Sequence, residues 1–329
     1  MNTSVGIDVS AIKLDVAILR EGRKPSLKQY DNDPAGFAGL IKKIASLSAP
    51  RVTMEATGVY HLDLALALRE AGIEVMVVNP RQAKRFVEAR ARNTQTDQVD
   101  AVELAEFGQR MTFVPWQAPS PTVMALHRLG RTIGALTRQR TATLNRQHAA
   151  QATAQTPKSI LKLHAQTLKF IDKQRDLLAR EARALIAADP LLERRFTQLL
   201  SVKGIAEVSA TALLAELMIL PDNLPAKAWV KYAGLDPSGK QSGTSVQTKP
   251  RISKRGNRRL RCALYMPAMI ARQHDPGLGA FADRLISAHK TPLQAIVAIQ
   301  RKLLHGIHAM FKNDSVWDSS RLVTTAKTS

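Results

Sequence analysis

Short apolar runs separated by turn residues fill the N-terminal third of the chain. Ser4–Ser10, Leu14–Leu19 and Lys28–Tyr30 read as three successive strands, with breaks too short for anything but an antiparallel meander. Asp33-Pro34 then opens a helix through Ala45, because proline is tolerated in a first turn and Phe37, Leu40, Ile41 and Ile44 recur on one face. Arg51–Met54 reads as a fourth strand and Leu62–Ala71 as a helix ended by Gly72. Ile73–Val78 is a buried fifth strand stopped by Asn79-Pro80, and Asp97–Arg110 is a further helix.

A three-strand meander followed by crossovers is the order of a ribonuclease-H-like domain, here residues 1–117. Pro115, Pro119 and Pro121 interrupt the chain, since clustered prolines deny it a continuing helix. Beyond them the periodicity lengthens. Leu126, Leu129, Ile133 and Leu136 keep a three/four spacing; Leu161, Leu168, Ile171, Leu178, Ala182 and Leu185 keep a second, broken by Arg175. Residues 118–190 therefore read as a helical hairpin or coiled-coil-like connector turning at Gln147–Thr156. Its stripes serve either packing within the chain or association between copies. After Asp189-Pro190, residues 191–312 form a mainly helical domain with a Gly/Ser/Lys/Arg-rich region at Tyr232–Arg261 and helices around Leu260–Arg272 and Leu293–Phe311. Residues 313–329 read as a polar tail with little to bury. The fold class is α/β followed by α.

Charge narrows the partners. The 329 residues carry 48 Lys and Arg against 27 Asp and Glu, a formal charge of +21 that favours a polyanionic partner, nucleic acid first. A membrane is the less favoured alternative, because neither an apolar run of spanning length nor a signal peptide is evident. Cys262 is alone, so no internal disulfide forms, and no Cys/His cluster has zinc spacing. The expected location is a reducing cytoplasm, in association with the nucleoid.

Acids stand at telling positions within this basic chain. Asp8 lies on the first strand and Glu55 ends the fourth; in a ribonuclease-H-like sheet these strands are neighbours. Asp97 and Asp100 follow one turn apart on one helix face. Four acids in close array repel by an amount on the order of several kcal/mol at low dielectric unless a cation intervenes. Oxygen-only ligation suits Mg²⁺, with Mn²⁺ as a substitute, and a two-metal phosphodiester site accounts for the set. Taken singly each acid has a plainer role, Asp97 as a helix cap for instance. Asp15, Asp63 and Glu103 read as solvated or salt-bridged.

Residues 237–274 contain no Asp or Glu but carry Lys240, Lys249, Arg251, Lys254, Arg255, Arg258, Arg259, Arg261 and Arg272, the pattern of a phosphate-tracking surface. Within it, Gln241-Ser242-Gly243-Thr244-Ser245 places hydroxyls among cations, either as a nucleophile or as a Ser/Gly turn that hydrogen-bonds phosphate. Upstream, Leu200–Ala210 joins two apolar helical segments through Gly204 in the manner of a helix-hairpin-helix, with Ala206 where that motif carries its second glycine.

Several stretches together carry a family resemblance. Gly6-Ile7-Asp8-Val9, Glu55-Ala56-Thr57-Gly58-Val59-Tyr60, Val78-Asn79-Pro80, Thr96-Asp97-Gln98-Val99-Asp100-Ala101 and Leu104-Ala105-Glu106-Phe107 occur in order. Tyr232-Ala233-Gly234-Leu235-Asp236-Pro237, Gln241–Ser245, Ile252-Ser253-Lys254-Arg255-Gly256-Asn257 and Leu264–Ala268 follow. From residue 5 to about 312 the chain resembles the DEDD transposases of the insertion-sequence one-ten family. The resemblance implies a RuvC-like N-terminal domain with Asp8, Glu55, Asp97 and Asp100 as metal ligands. It also implies a C-terminal transposase domain in which Ser242, rather than Ser245, is the nucleophile of a serine recombinase. A structured non-coding bridge RNA pairing with donor and target DNA, and a homo-oligomer, dimer or tetramer, with active sites shared between protomers, are further implications. No nucleotide cofactor is expected. The alternative is a junction-resolving endonuclease that uses metal-activated water; an actin-like kinase, whose first strand opens similarly, is disfavoured by the charge and by the lack of glycine-rich phosphate loops.

Overall fold

The computed structural model describes residues 3–56, 58, 60–89, 97–239, 241–242, 246–247 and 251–322, the backbone alone at 97–98, 241–242, 246–247 and 321–322. The chain forms two compact units, Met1–Ala118 and Pro119–Ser329.

The first unit runs β1 (Thr3–Val9), β2 (Lys13–Leu19), β3 (Ser26–Asp31), α1 (Pro34–Ala45), β4 (Pro50–Glu55), α2 (Leu62–Glu70), β5 (Glu74–Val78), α3 (Pro80–Glu88) and α4 (Asp97–Arg110). Its single sheet has the order β3-β2-β1-β4-β5; β1–β2 and β2–β3 are antiparallel, β1–β4 and β4–β5 parallel. This is the ribonuclease-H-like arrangement the hydrophobic pattern predicts. Strand alternation divides the sheet into two unlike faces. Val5, Ile7 and Val9 pair in register with Ile18, Val16 and Leu14 and, on the other side, Val5 and Ile7 with Val52 and Met54. Across β1, β2 and β4 that face is apolar and packs on Phe37, Leu40, Ile44, Leu64 and Leu68. The opposite face carries Ser4, Gly6, Asp8, Thr53 and Glu55, and α4 covers it.

One helix of this unit escapes the sequence reading. Asn79-Pro80 ends β5 but also begins α3: the Asn79 side chain accepts from Arg81 N at 2.9 Å and Pro80 occupies the first turn, where its missing N–H costs nothing.

The second unit contains α5 (Pro121–Gln151), α6 (Lys158–Ala188), α7 (Pro190–Leu200), α8 (Glu207–Leu217), α9 (Ala226–Tyr232), α10 (Arg258–His274), α11 (Pro276–Ser287) and α12 (Pro292–Asn313). Four two-residue strands precede α10: β6 (Pro237–Ser238), β7 (Gln241–Ser242), β8 (Val246–Gln247) and β9 (Arg251–Ile252). α5 and α6 form an antiparallel pair whose helical ends leave a turn tighter than the Gln147–Thr156 reading, because α5 continues through Gln151. Val123 and Leu126 of α5 and Ala182 and Ile186 of α6 share one core with Phe196, Leu213, Leu260, Leu303 and Ile307. Farther along, Asp172 joins the two helices, 2.7 Å from Arg140 Nε and 3.2 Å from Arg175 Nη1, so the polar break in the stripe is an ion-paired one.

The segment after α12 departs from the polar-tail expectation. Asp314 takes a left-handed conformation and turns the chain back. Trp317 N then donates to Ser201 Oγ at 2.9 Å and its Nε1 to Asp275 Oδ2 at 3.0 Å, while its ring lies on Gly306, where any Cβ would overlap it. One tryptophan among polar residues gives too little pattern to reveal such docking. Among the described residues no helix is long and apolar enough to cross a membrane.

Candidate functional site

Helix α4 sits unusually close to the sheet because small residues meet on both sides. A Cβ on Gly6 would fall within 2.9 Å of Ala105 Cα and nearer still to the Ala101 carbonyl oxygen; one on Gly108 would enter the Thr53 hydroxyl. Ser4 Oγ donates to the Ala105 carbonyl at 2.5 Å. These contacts also fix direction. Gly108 lies beside Ser4 and Thr53, and Ala101 beside Gly6, so the N-terminal turn of α4 is at the C-terminal end of β1 and β4.

That is the end where the strand acids stand. The register Gly6↔Thr53, Ile7↔Met54 leads directly to Asp8 and Glu55, and both share the α4 face with Gly6 and Thr53 by strand alternation. Asp8, Glu55 and Asp100 are each half-buried; Asp97 is the first residue of α4, with its side chain outside the described residues. Among the described residues no group of three His, Cys, Asp or Glu is assembled closely enough to hold a metal ion.

Two of the acids expected to be solvated or salt-bridged are buried. Asp15 lies in register opposite Asp8, beneath α4, at 6% exposure, and accepts from Gln29 Nε2 at 3.1 and 3.3 Å. Glu103 of α4 is 2% exposed. Residue type alone does not reveal that burial; for Asp15 it follows from the strand register that sets it opposite Asp8. Asp63 is exposed, as expected.

In the second unit the basic region forms a two-rung hairpin. β6 pairs with β9 and β7 with β8, Ser242 opposite Val246 along the backbone. Lys240, Lys249 and Gly243–Ser245 lie outside the described residues, as does the Ser242 side chain. Arg251, Lys254, Arg255, Arg258 and Arg259 are exposed around the base of the hairpin and the entry of α10. Arg261 differs from them: its Nη1 is bound to the Ala233 and Gly256 carbonyls at 2.7 and 3.2 Å, so this guanidinium closes the hairpin base. Ser253 N donates to Asp236 O at 2.8 Å and Lys254 N to Gly234 O at 3.0 Å, tying the two arms together. Gly234 has φ +65° and leaves no room for a Cβ against Gly256 N.

Beneath this base lies a buried polar cluster that sequence reasoning overlooked. Glu216 of α8, 4% exposed, accepts from Asn257 Nδ2 at 2.6 Å and from Arg131 Nε at 3.3 Å, with His127 Nε2 at ion-pair distance, 3.6 Å. Burial by itself would raise its carboxyl, but His127, Asn257 and Arg131 outweigh that and hold it at about 2. The signal available was a lone glutamate within the apolar run Ala212-Leu213-Leu214-Ala215-Glu216-Leu217. The helix-hairpin-helix-like turn joins α7 to α8, and its Gly204, at φ +95°, packs against Pro267 and Ala271 of α10.

Comparison with known proteins places these features. A family model described as "Transposase" matches residues 5–152, and one described as "Transposase IS116/IS110/IS902 family" matches residues 197–283. A relative named pilin gene-inverting protein, from Moraxella bovis, is 28% identical over 323 residues, covering 96% of this chain and 98% of its own. The insertion element IS110 uncharacterized 43.6 kDa protein of Streptomyces coelicolor is 29% identical over 155 residues, 47% of this chain and 37% of its own. Among solved structures, Thermus thermophilus RuvC is similar at 16% identity and a TM-score of 0.26, over 34% of this chain and 98% of that one. Models of one transposase family thus match within both units, and the chain belongs to the IS110 family of DNA transposases.

Proposed function

We propose that the chain cleaves and rejoins DNA through a covalent link to Ser242, with Asp8, Glu55, Asp97 and Asp100 holding divalent metal at the scissile phosphate. The observation that carries the reading is the seating of α4 on Gly6 and Thr53, which draws the turn bearing Asp100 to the strand ends bearing Asp8 and Glu55. A donor set of carboxylate oxygens alone fits Mg²⁺, or Mn²⁺ in its place. When bound, such an ion supplies charge neutralisation and polarises a phosphate oxygen.

The Ser242 hydroxyl attacks phosphorus: the Oγ–P bond forms as the bond to the 3′ oxygen breaks, and the hydroxyl proton passes to that leaving oxygen. The products are a 5′-phosphoserine and a free 3′-hydroxyl. Attack by a second 3′-hydroxyl on the phosphoserine reverses the step, rejoins DNA and restores the serine. Because the ester conserves the phosphodiester bond, no nucleotide cofactor is needed. A full-length relative named for inverting a pilin gene supports strand exchange over simple hydrolysis.

Partners follow from charge and exposure. Arg251, Lys254, Arg255, Arg258 and Arg259 form the surface that tracks the backbone of donor and target DNA. A structured guide RNA supplies sequence choice, as the family resemblance implies, by pairing with both DNAs. A homo-oligomer is supported by Leu163, Phe170 and Leu177, a heptad-spaced stripe of α6 left 58%, 63% and 51% exposed in the single chain.

The acids are tested with Asp8→Ala and Asp100→Ala on a plasmid carrying the element ends, with the guide RNA present. Cleavage should require Mg²⁺ or Mn²⁺ and disappear in both variants. Undiminished cleavage in chelator would reject the metal role, and release of free 5′-phosphate without adduct would favour the water-using endonuclease.

A further inference from the structure

The Glu216 cluster sits beneath the base of the hairpin that carries Ser242, and its partners come from α5 and from the entry of α10. Asn257 is the junction. Its Oδ1 accepts from Arg259 N at 2.9 Å and Leu260 N at 3.2 Å, capping α10; its own N–H donates to Tyr232 O at 2.6 Å. Its Nδ2 donates both to Glu216 Oε2, at 2.6 Å, and to the Tyr232 hydroxyl, at 3.0 Å. Asp or Ser would cap a helix as well as Asn, but neither provides the amide donor that reaches Glu216. The requirement for asparagine is therefore set by the glutamate below.

Glu216 has partners on the opposite side too. Arg131 and His127 are one turn apart on α5, the first helix of the long hairpin. One buried carboxylate thus joins α5, α8 and the α10 entry, while Asn257 extends the link to the end of α9. Directional hydrogen bonds in a buried setting fix orientation more sharply than apolar packing does, because a rotated donor leaves a desolvated acceptor without its bond.

We propose that Glu216 is a positioning residue for strand transfer: through Asn257 it holds the arms of the Ser242 hairpin and the arginine-bearing start of α10 in register with the α5–α6 helices. It touches no reacting atom. The inference rests on the reading of Ser242 as nucleophile, but its structural half concerns hairpin geometry alone.

A polarity-reversal experiment on the full chain, with DNA and guide RNA, tests it. Glu216→Gln leaves one acceptor oxygen where Asn257 and Arg131 each use their own, so one of those two bonds is lost, and Asn257→Asp presents a carboxylate to Glu216 and loses the amide donor. In the double variant the amide introduced on α8 donates to the carboxylate introduced at the α10 cap. That carboxylate still caps α10, and the oxygen of the new amide still accepts from Arg131. Each single variant should lose at least about 10-fold in adduct formation, with DNA affinity within about threefold, as a displaced rather than absent nucleophile requires. Amide exchange at Ser253, Lys254 and Asn257 should quicken in the singles. The double variant should recover both readouts to within about threefold of wild type, a coupling that separate, merely stabilising roles would not produce.

Wild-type adduct formation and exchange in both singles, or a double variant as impaired as the worse single, would overturn the proposal. If one single variant fails to fold, the double variant against the other single decides the same question. Should Ser242→Ala still form adducts, the nucleophile reading fails, and the exchange pattern alone judges the positioning role.

Discussion

The approach of α4 to the sheet can be tested by adding one carbon. In Gly6→Ala the new Cβ would stand 2.9 Å from Ala105 Cα, about 0.6–1 Å inside ordinary carbon contact, and deeper into the Ala101 carbonyl. Backbone lies on both sides, so no side chain can rotate away and α4 must lift by about 1 Å. Overpacking costs about 1–3 kcal/mol when side chains yield, and here the cost falls at the upper end. For a unit of this size that lowers the melting transition by on the order of 10 °C. The lift also separates Asp100 from Asp8, and about 1 Å of misplacement costs roughly 10²-fold in rate. Gly39→Ala is the control. Its Cβ would meet only Tyr30 ring carbons, at 3.7 and 3.8 Å, so replacing a helical glycine there should stabilise by about 0.5–1 kcal/mol. Thermal unfolding and metal-dependent plasmid cleavage read both effects. Wild-type melting and cleavage in Gly6→Ala would refute the close seating of α4 and remove the support it gives the metal-site proposal.

Acid should weaken the second unit through Glu216. Its carboxyl titrates at about 2 in the folded chain against 4.5 ordinarily, so its contribution, roughly 3 kcal/mol, is complete above about pH 4.5 and is lost as pH falls towards about 2. Denaturant unfolding across that window should show a loss that Glu216→Gln lacks; parallel pH profiles would contradict it. Phe170→Glu should charge the exposed stripe of α6 and reduce the sedimenting mass of the free protein. An unchanged mass would exclude that stripe as the contact between copies.

Legibility followed the range of the interactions. The sheet was readable because Val5, Ile7, Val9, Val52 and Met54 announce one apolar face by alternation. The helix Asp97–Arg110 was readable by periodicity, but not its depth on the sheet, which depends on Gly6 meeting Ala101 and Ala105 across almost a hundred residues of chain. The burial of Asp15, paired with Asp8 under that helix, is equally long-range. Asn79-Pro80 reads as a stop although the pair also satisfies a helix start, which hides α3. Trp317 gives no periodic signal, and Glu216 looks like one more charge on a helix until its three partners come from two other elements. Of the candidate site, Asp8 and Glu55 follow from strand order and charge, whereas choosing Ser242 over Ser245 needs the family resemblance.

The central claim joins that serine to DNA, and one measurement meets it directly. Reaction of the full chain with guide RNA and an element end labelled on the 3′ side of the cleavage position, stopped in denaturant and digested, should yield a peptide carrying the labelled nucleotide on Ser242, absent in Ser242→Ala and absent in Asp8→Ala. An adduct on Ser245, or strand exchange that proceeds in Ser242→Ala, would contradict the account.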